Sequence, residues 1–258
     1  MIWDFSALLF AATIVSGLLW WVDVKFFKKK RLARNPNAKD PAWADYARSF
    51  FPILLFVFIL RSFLVEPYRI PSGSMKPTLL VGDFILVNKF TYGIRLPIID
   101  KEIIPLNKPD RGDVMVFRFP PEPKINFIKR VIGLPGDKII YKNKQLFVNG
   151  ELIPKTDPQI VTLTAPDGQP YRVREFTETL PHVSHHIYEH LTPGQDAEVV
   201  VPEGHYFVMG DNRDESDDSR FWGFVPDENI IGKAFALWMS WDGEHYRVRF
   251  DRVGTAIK

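Results

Sequence analysis

The sequence predicts a mostly β protein: two N-terminal transmembrane helices followed by an extracytoplasmic antiparallel β sandwich or partly closed barrel with an inserted β subdomain. Three observations predict it. Two long apolar runs lie within the first 66 of 258 residues, and a cluster of Lys and Arg separates them. Beyond residue 80 the chain alternates apolar and polar residues between turn signals. Cysteine is absent, which excludes disulfides, zinc–thiolate sites and thiol catalysis.

The first segment, 1–24, centres on an uncharged run of 18 residues, Phe5–Val22, just long enough to cross a bilayer core as a helix. Trp20 and Trp21 end it, where interfacial aromatics belong. A cleaved leader needs a basic start and a small-x-small site; this one carries Asp4 and ends in Leu-Leu-Trp-Trp. The second segment, 46–66, is apolar over 49–60 apart from one serine and resumes after Arg61, which sits near one end and can snorkel.

Between them lies a basic loop, 25–45. Residues 25–48 hold eight Lys or Arg against two acids, a surplus of six, so the rest of a chain of net charge +2 carries −4. Flanking spans assign this loop to membrane topology rather than to nucleic acid. Lys/Arg-rich loops face the cytoplasm. The two-span chain is therefore expected in the cytoplasmic (inner) membrane, with everything after residue 66 on the extracytoplasmic, periplasmic side.

The β domain is expected over 67–150 and 199–258. Its strands are read from runs such as DFILVNKF, DVMVFRF, FIKRVIG and GKAFALWMSW, with Asn149-Gly150 as a hairpin turn. Residues 151–198 are polar and rich in Pro, Thr and His, and read as an inserted subdomain.

Candidate chemistry begins at Ile70-Pro71-Ser72-Gly73-Ser74. Gly73 permits unusual backbone angles and Pro71 fixes the approach, so the turn can expose a hydroxyl. Ser and Gly also build ordinary turns, and residue types alone favour that reading. A serine nucleophile needs a base. Four of the six histidines fall in the insert (His182, His185, His186, His190) and could hold a metal only by accident of spacing; His205 with an acid from 211–218 remains a rival base.

A lysine serves if it is neutral, yet at a pKa of about 10.4 only about one in 2,500 is uncharged at pH 7. Lys129 lies in the apolar run INFIKRVIGLPG, with Phe127, Lys129 and Val131 on one face and Ile128, Arg130 and Ile132 on the other. One face is expected inside, and desolvation would lower the amine's pKa. The stretch GDNRDESDDSRFWGF packs acids around Arg213 and Arg220. It fits a calcium loop poorly and reads as an internally bonded polar loop.

These stretches together resemble bacterial signal peptidase I, the type I leader peptidase of the serine–lysine class. PSGSMKPTL resembles its nucleophile box, GDFILVNKF and RGDVMVF the boxes that follow, FIKRVIGLPGD its lysine box, and GDNRDESDDSRFWGFVP its last box. Lys76-Pro77 and Glu215 depart from the pattern. The likeness covers about 46–150 and 200–240 and is weakest over the insert.

The resemblance implies a membrane-bound endopeptidase that removes signal peptides from exported preproteins after Ala-x-Ala type sites, without cofactor or metal. Ser74 would be the nucleophile and Lys129 the general base. Ser72 and the Ser74 N–H would hold the oxyanion; Ser216 would orient the amine, with Asp218 and Arg220 fixing its loop. Tyr68, Ile70, Met75, Leu79, Ile85, Phe127 and Ile128 would line shallow sites for small side chains. The implied partners are signal peptides, the lipid bilayer and a neighbouring protein-export machinery. Phe63, Tyr68, Phe84, Phe90 and Tyr92 are read as an exposed aromatic rim at the outer leaflet.

Overall fold

The computed structural model describes residues 5–96, 102–165 and 168–258. It divides into two compact units: Met1–Val65 with Ile94–Ile104, and Glu66–Gly93 with Pro105–Lys258. The start of the first predicted segment, residues 1–4, lies outside the described residues.

In the first unit one helix runs from Phe5–Val22 through a π-helical stretch, Asp23–Lys28, into Lys29–Arg34. The basic stretch is therefore helical through residue 34, not a loop from residue 25. Lys, Arg, Leu and Ala are strong helix formers, and Arg31 reaches back to both carboxylate oxygens of Asp23 at 2.8 and 3.0 Å and across to Asp40 at 2.6 Å. A second helix covers Ala42–Ile59 and continues through Leu60–Leu64.

Ala7–Arg34 and Ala42–Leu64 each reach a mean hydropathy of 1.8, long and apolar enough to cross a membrane. The helices meet through ring pairs Phe10–Phe58 and Trp20–Phe51, both at 5.5 Å. Gly17 makes room there, since a Cβ would stand 2.7 Å from the Phe51 ring. Leu8, Val15, Leu18, Ile53 and Phe56 stay exposed, the surface a bilayer covers.

The second unit is built on one curled antiparallel sheet. Its strands run in the order Val65–Arg69, Asp83–Asn88, Ile230–Asp242, Val114–Arg118, Asn126–Gly133, His205–Met209 and Val225–Pro226, with Arg247–Val248 also paired to Ile230–Asp242. A second sheet orders Ala197–Val200, Lys138–Lys142, Gln145–Val148 and Glu151–Leu152. Its hairpin turns at Asn149-Gly150, both residues at positive φ (53° and 86°), as the dipeptide predicts.

The insert forms a three-stranded meander of Lys155–Thr164, Pro170–Leu180 and Val183–His190, while Ala197–Val200 pairs back with Lys138–Lys142. The longest helix described in this unit is the four-residue Ser219–Trp222.

Strand Asn126–Gly133 differs from its predicted one-sided burial, because both its faces are covered. Ile128 packs on a cluster with Ile70, Met75 and Val116; Ile132 joins one with Ile139 and Phe207; Val131 and Phe127 join a third with Phe117 and Tyr206. Packing on both sides leaves the strand buried from Lys129 to Gly133. Of the predicted aromatic rim, Phe90 is exposed, Phe63, Tyr68 and Phe84 are half-buried, and Tyr92 is buried with its hydroxyl on Asp113 at 2.8 Å.

Candidate active site

The serine turn is held from below. Ile70 N donates to Asp83 O at 2.8 Å and Gly82 N to Ile70 O at 3.0 Å, so the two ends of residues 70–82 are stapled together. Within it Lys76 N donates to Gly73 O at 3.1 Å and Leu79 N to Met75 O at 2.9 Å. Met75 and Leu79 plunge into the core. That anchorage leaves Ser74 only 8% exposed, at the edge of the sheet's concavity, while Ser72 stands in solvent.

Lys129 arrives from the opposite direction. It sits on Asn126–Gly133 opposite Met115, is 4% exposed, and its Nζ donates to Ser74 Oγ at 2.6 Å. Its amine lies 5.4 Å from the Phe127 ring centroid. Burial pulls its pKa down from 10.5 to about 8, opposed by the charges of Asp218, Asp217 and Asp211. About a tenth of such amines are uncharged at pH 7. Ser72 Oγ stands 3.4 Å from Ser74 Oγ, on the open side.

The third wall is the loop after His205–Met209. Asn212 donates twice to the serine turn, N to Ser74 O at 3.1 Å and Nδ2 to Gly73 O at 3.2 Å. Gly210 allows this approach, for a Cβ there would collide with Ser74 O and Ser216 Oγ. Asp218 accepts from Gly210 N at 3.0 Å and forms a buried pair with Arg220, whose Nε and Nη2 reach it at 2.8 Å each. Arg220 also donates to Arg213 O.

The buried Oγ of Ser216 has no hydrogen-bond partner among the described residues.

The expected pocket residues separate by depth. Ile70, Met75, Leu79 and Ile85 are buried in one core cluster, with Tyr68 and Ile128 half-buried against it. Phe127 is half-buried in a different cluster, stacked on Phe119 at 4.2 Å. Accessible surface thus falls to Tyr68, Phe127 and Ile128. The four fully buried residues form packing beneath instead of open walls, since their side chains stabilise the turn that carries Ser74.

The insert's histidines do not converge. His185 is buried 3.5 Å from Glu178 and 3.6 Å from Asp211, and burial lowers it to about 4, so it is neutral. His186 faces Glu175 and His190 faces Glu215, both at 3.1 Å. His205, the rival base, is engaged through Nδ1 with Glu203 O at 2.9 Å.

Sequence reading passed over a second buried ion pair. Arg130 donates through Nε and Nη2 to both oxygens of Asp211 at 2.8 and 2.7 Å and through Nη1 to Gly112 O at 2.7 Å; Thr78 Oγ1 adds a bond to Asp211 at 2.5 Å. Arg130 was legible as a buried-strand cation that must find an anion. Which of five clustered acids answers it was not.

Comparison with known proteins gives one family. Residues 43–241 match the family described as signal peptidase, peptidase S26. The chain is 47% identical to a signal peptidase I of Pseudomonas fluorescens, across 97% of this chain and 98% of that protein. It is 48% identical to a signal peptidase I of Pseudomonas aeruginosa, across 98% of each. A signal peptidase I of Buchnera aphidicola is 38% identical, across 96% of this chain and 97% of the other.

Proposed function

We propose one reaction for this chain, on the premise that it belongs to the signal peptidase family, peptidase S26: serine–lysine hydrolysis of the bond joining a signal peptide to an exported preprotein. The observation that carries it is a water-poor lysine amine 2.6 Å from a serine hydroxyl.

Ser74 Oγ attacks the scissile carbonyl carbon, and neutral Lys129 Nζ takes the hydroxyl proton. The oxyanion is held by the Ser72 hydroxyl and the Ser74 N–H. As the C–N bond breaks, the Lys129 ammonium returns its proton to the leaving amine. Water deprotonated by Lys129 then hydrolyses the Ser74 ester.

An ammonium has three N–H donors where Ser74 supplies one acceptor. The unpartnered Ser216 Oγ, beside the Ser74 main chain across Gly210, supplies a second once the lysine is charged. Asp218 and Arg220 hold that loop. Tyr68, Phe127 and Ile128, over Ile70, Met75, Leu79 and Ile85, form shallow ground that suits small side chains of the Ala-x-Ala type.

The two apolar helices anchor the chain in the cytoplasmic membrane, the basic stretch between them stays in the cytoplasm, and the β unit works on the far, periplasmic side near the export machinery. The β domain then comprises 67–150 and 199–258, interrupted by the insert 151–198.

The test is incubation with a preprotein whose leader ends in Ala-x-Ala, the cut located by mass spectrometry. Ser74→Ala and Lys129→Ala are expected to lose at least about a thousandfold in kcat. Because the working amine is the uncharged one, wild-type turnover should rise about tenfold per pH unit and level off above about pH 8. Retained turnover in Lys129→Ala would sink the reading.

A further inference from the structure

Resting on the serine–lysine reading, we propose that the insert clamps the catalytic turn, with Glu178 and Arg213 as its positioning residues. Glu178, near the end of Pro170–Leu180, is 0% exposed and accepts both terminal nitrogens of Arg213, itself 1% exposed, at 2.8 and 2.5 Å. This joins the insert to the loop that carries Asn212.

The same loop is threaded onto the insert's last strand. Tyr188 N donates to Asp211 O and Arg213 N to Tyr188 O, each at 2.9 Å, making a parallel bridge between Tyr188 and Asn212. Asn212 sits between those two bonds, and it is the residue that donates to Gly73 O and Ser74 O. A second hold acts on its side chain. Asn212 Nδ2 donates to Glu215 Oε2 at 2.8 Å, and that carboxylate meets Tyr171 Oη at 3.2 Å and His190 Nε2 at 3.1 Å, both from the insert.

Two independent routes from the insert therefore end on one asparagine, and that asparagine ends on the nucleophile's own carbonyl. Burial of an ion pair is a poor route to stability, since apolar residues of equal volume do as well. A bidentate carboxylate–guanidinium fork does something apolar contact cannot, fixing distance and angle together. The fork's geometry is transmitted in two steps to the 2.6 Å contact between Lys129 and Ser74. That contact is where a displacement of about 1 Å costs about a hundredfold in rate.

The experiment compares the full-length chain in lipid vesicles with Glu178→Gln, with the surface double variant Tyr171→Phe/His190→Ala, and with Ser74→Ala, on one preprotein, reading kcat and KM separately. Glu178→Gln is expected to unfold cooperatively, to lose about 10- to 100-fold in kcat and to keep KM within about twofold. A folded Glu178→Gln with wild-type kcat, or with its loss wholly in KM, overturns the clamp. Should the buried variant lose cooperative unfolding, the surface variant decides. A drop in kcat of about three- to tenfold supports the proposal and an unchanged kcat overturns it. Turnover surviving in Ser74→Ala instead sinks the serine–lysine reading, so the two failures are distinguishable.

Discussion

Lys129 and Arg130 are neighbours on one strand, both cations, both removed from water, and the protein treats them in opposite ways. Arg130 is surrounded by acceptors: two oxygens of Asp211 and the carbonyl of Gly112. Its partner Asp211 is held at about 2, because Arg130, helped by His185 and Thr78, more than offsets the cost of burying a carboxylate. Lys129 receives a hydroxyl and an aromatic ring, while the carboxylates that oppose its desolvation do not bond its amine. Similar burial thus leaves one cation fully paired and lowers the pKa of the other. The difference lies in whether a counter-ion is within hydrogen-bonding distance.

Three substitutions break or sharpen this contrast. The largest effect belongs to the compensated side. Asp211→Ala leaves Arg130 buried with its bidentate partner gone and should destabilise the fold by about 3–5 kcal/mol in denaturant unfolding. A loss under about 1 kcal/mol would mean water already reaches that pair.

Next comes the uncompensated side, with the opposite sign. The folded pKa of Lys129 is lowered to about 8 from 10.5, so between those values the unfolded chain binds more protons and wild-type stability rises with pH. Below about pH 8 the full penalty applies. Lys129→Met should therefore stabilise by about 1–3 kcal/mol at pH 7, and the gain should vanish above about pH 10.5. Destabilisation at pH 7 would contradict a lysine held against its solvation. Smallest is Ser216→Ala. It removes an unpartnered buried hydroxyl, so melting should not fall, yet kcat should drop about tenfold because the charged amine loses its second acceptor. A lowered melting point with normal kcat would make Ser216 a packing residue only.

Much of the architecture was legible in the chain. Alternation placed the strands, Asn149-Gly150 placed a hairpin, and apolar length placed both membrane-length helices, because those signals come from residues near one another. The basic stretch, expected as a loop from residue 25, is helical through residue 34, where Arg31 also meets Asp23 and Asp40. Of the site, the serine, the lysine and the loop 210–220 stood out as residue types. The geometry of Gly210, Asn212, Asp211 and Glu178 did not, as each acts only on a partner brought close by folding.

By itself the sequence determined the periodicities, the membrane-length runs and the stock of reactive groups, including a lysine set in an apolar strand. Only the tertiary structure decided that Ser74 would meet that lysine, that its acids would stop short of its amine, and that the insert would reach the loop carrying Asn212. Local pattern is written in neighbouring residues. Desolvation depends on what folding brings near, and here the residue that meets the amine is 55 positions away.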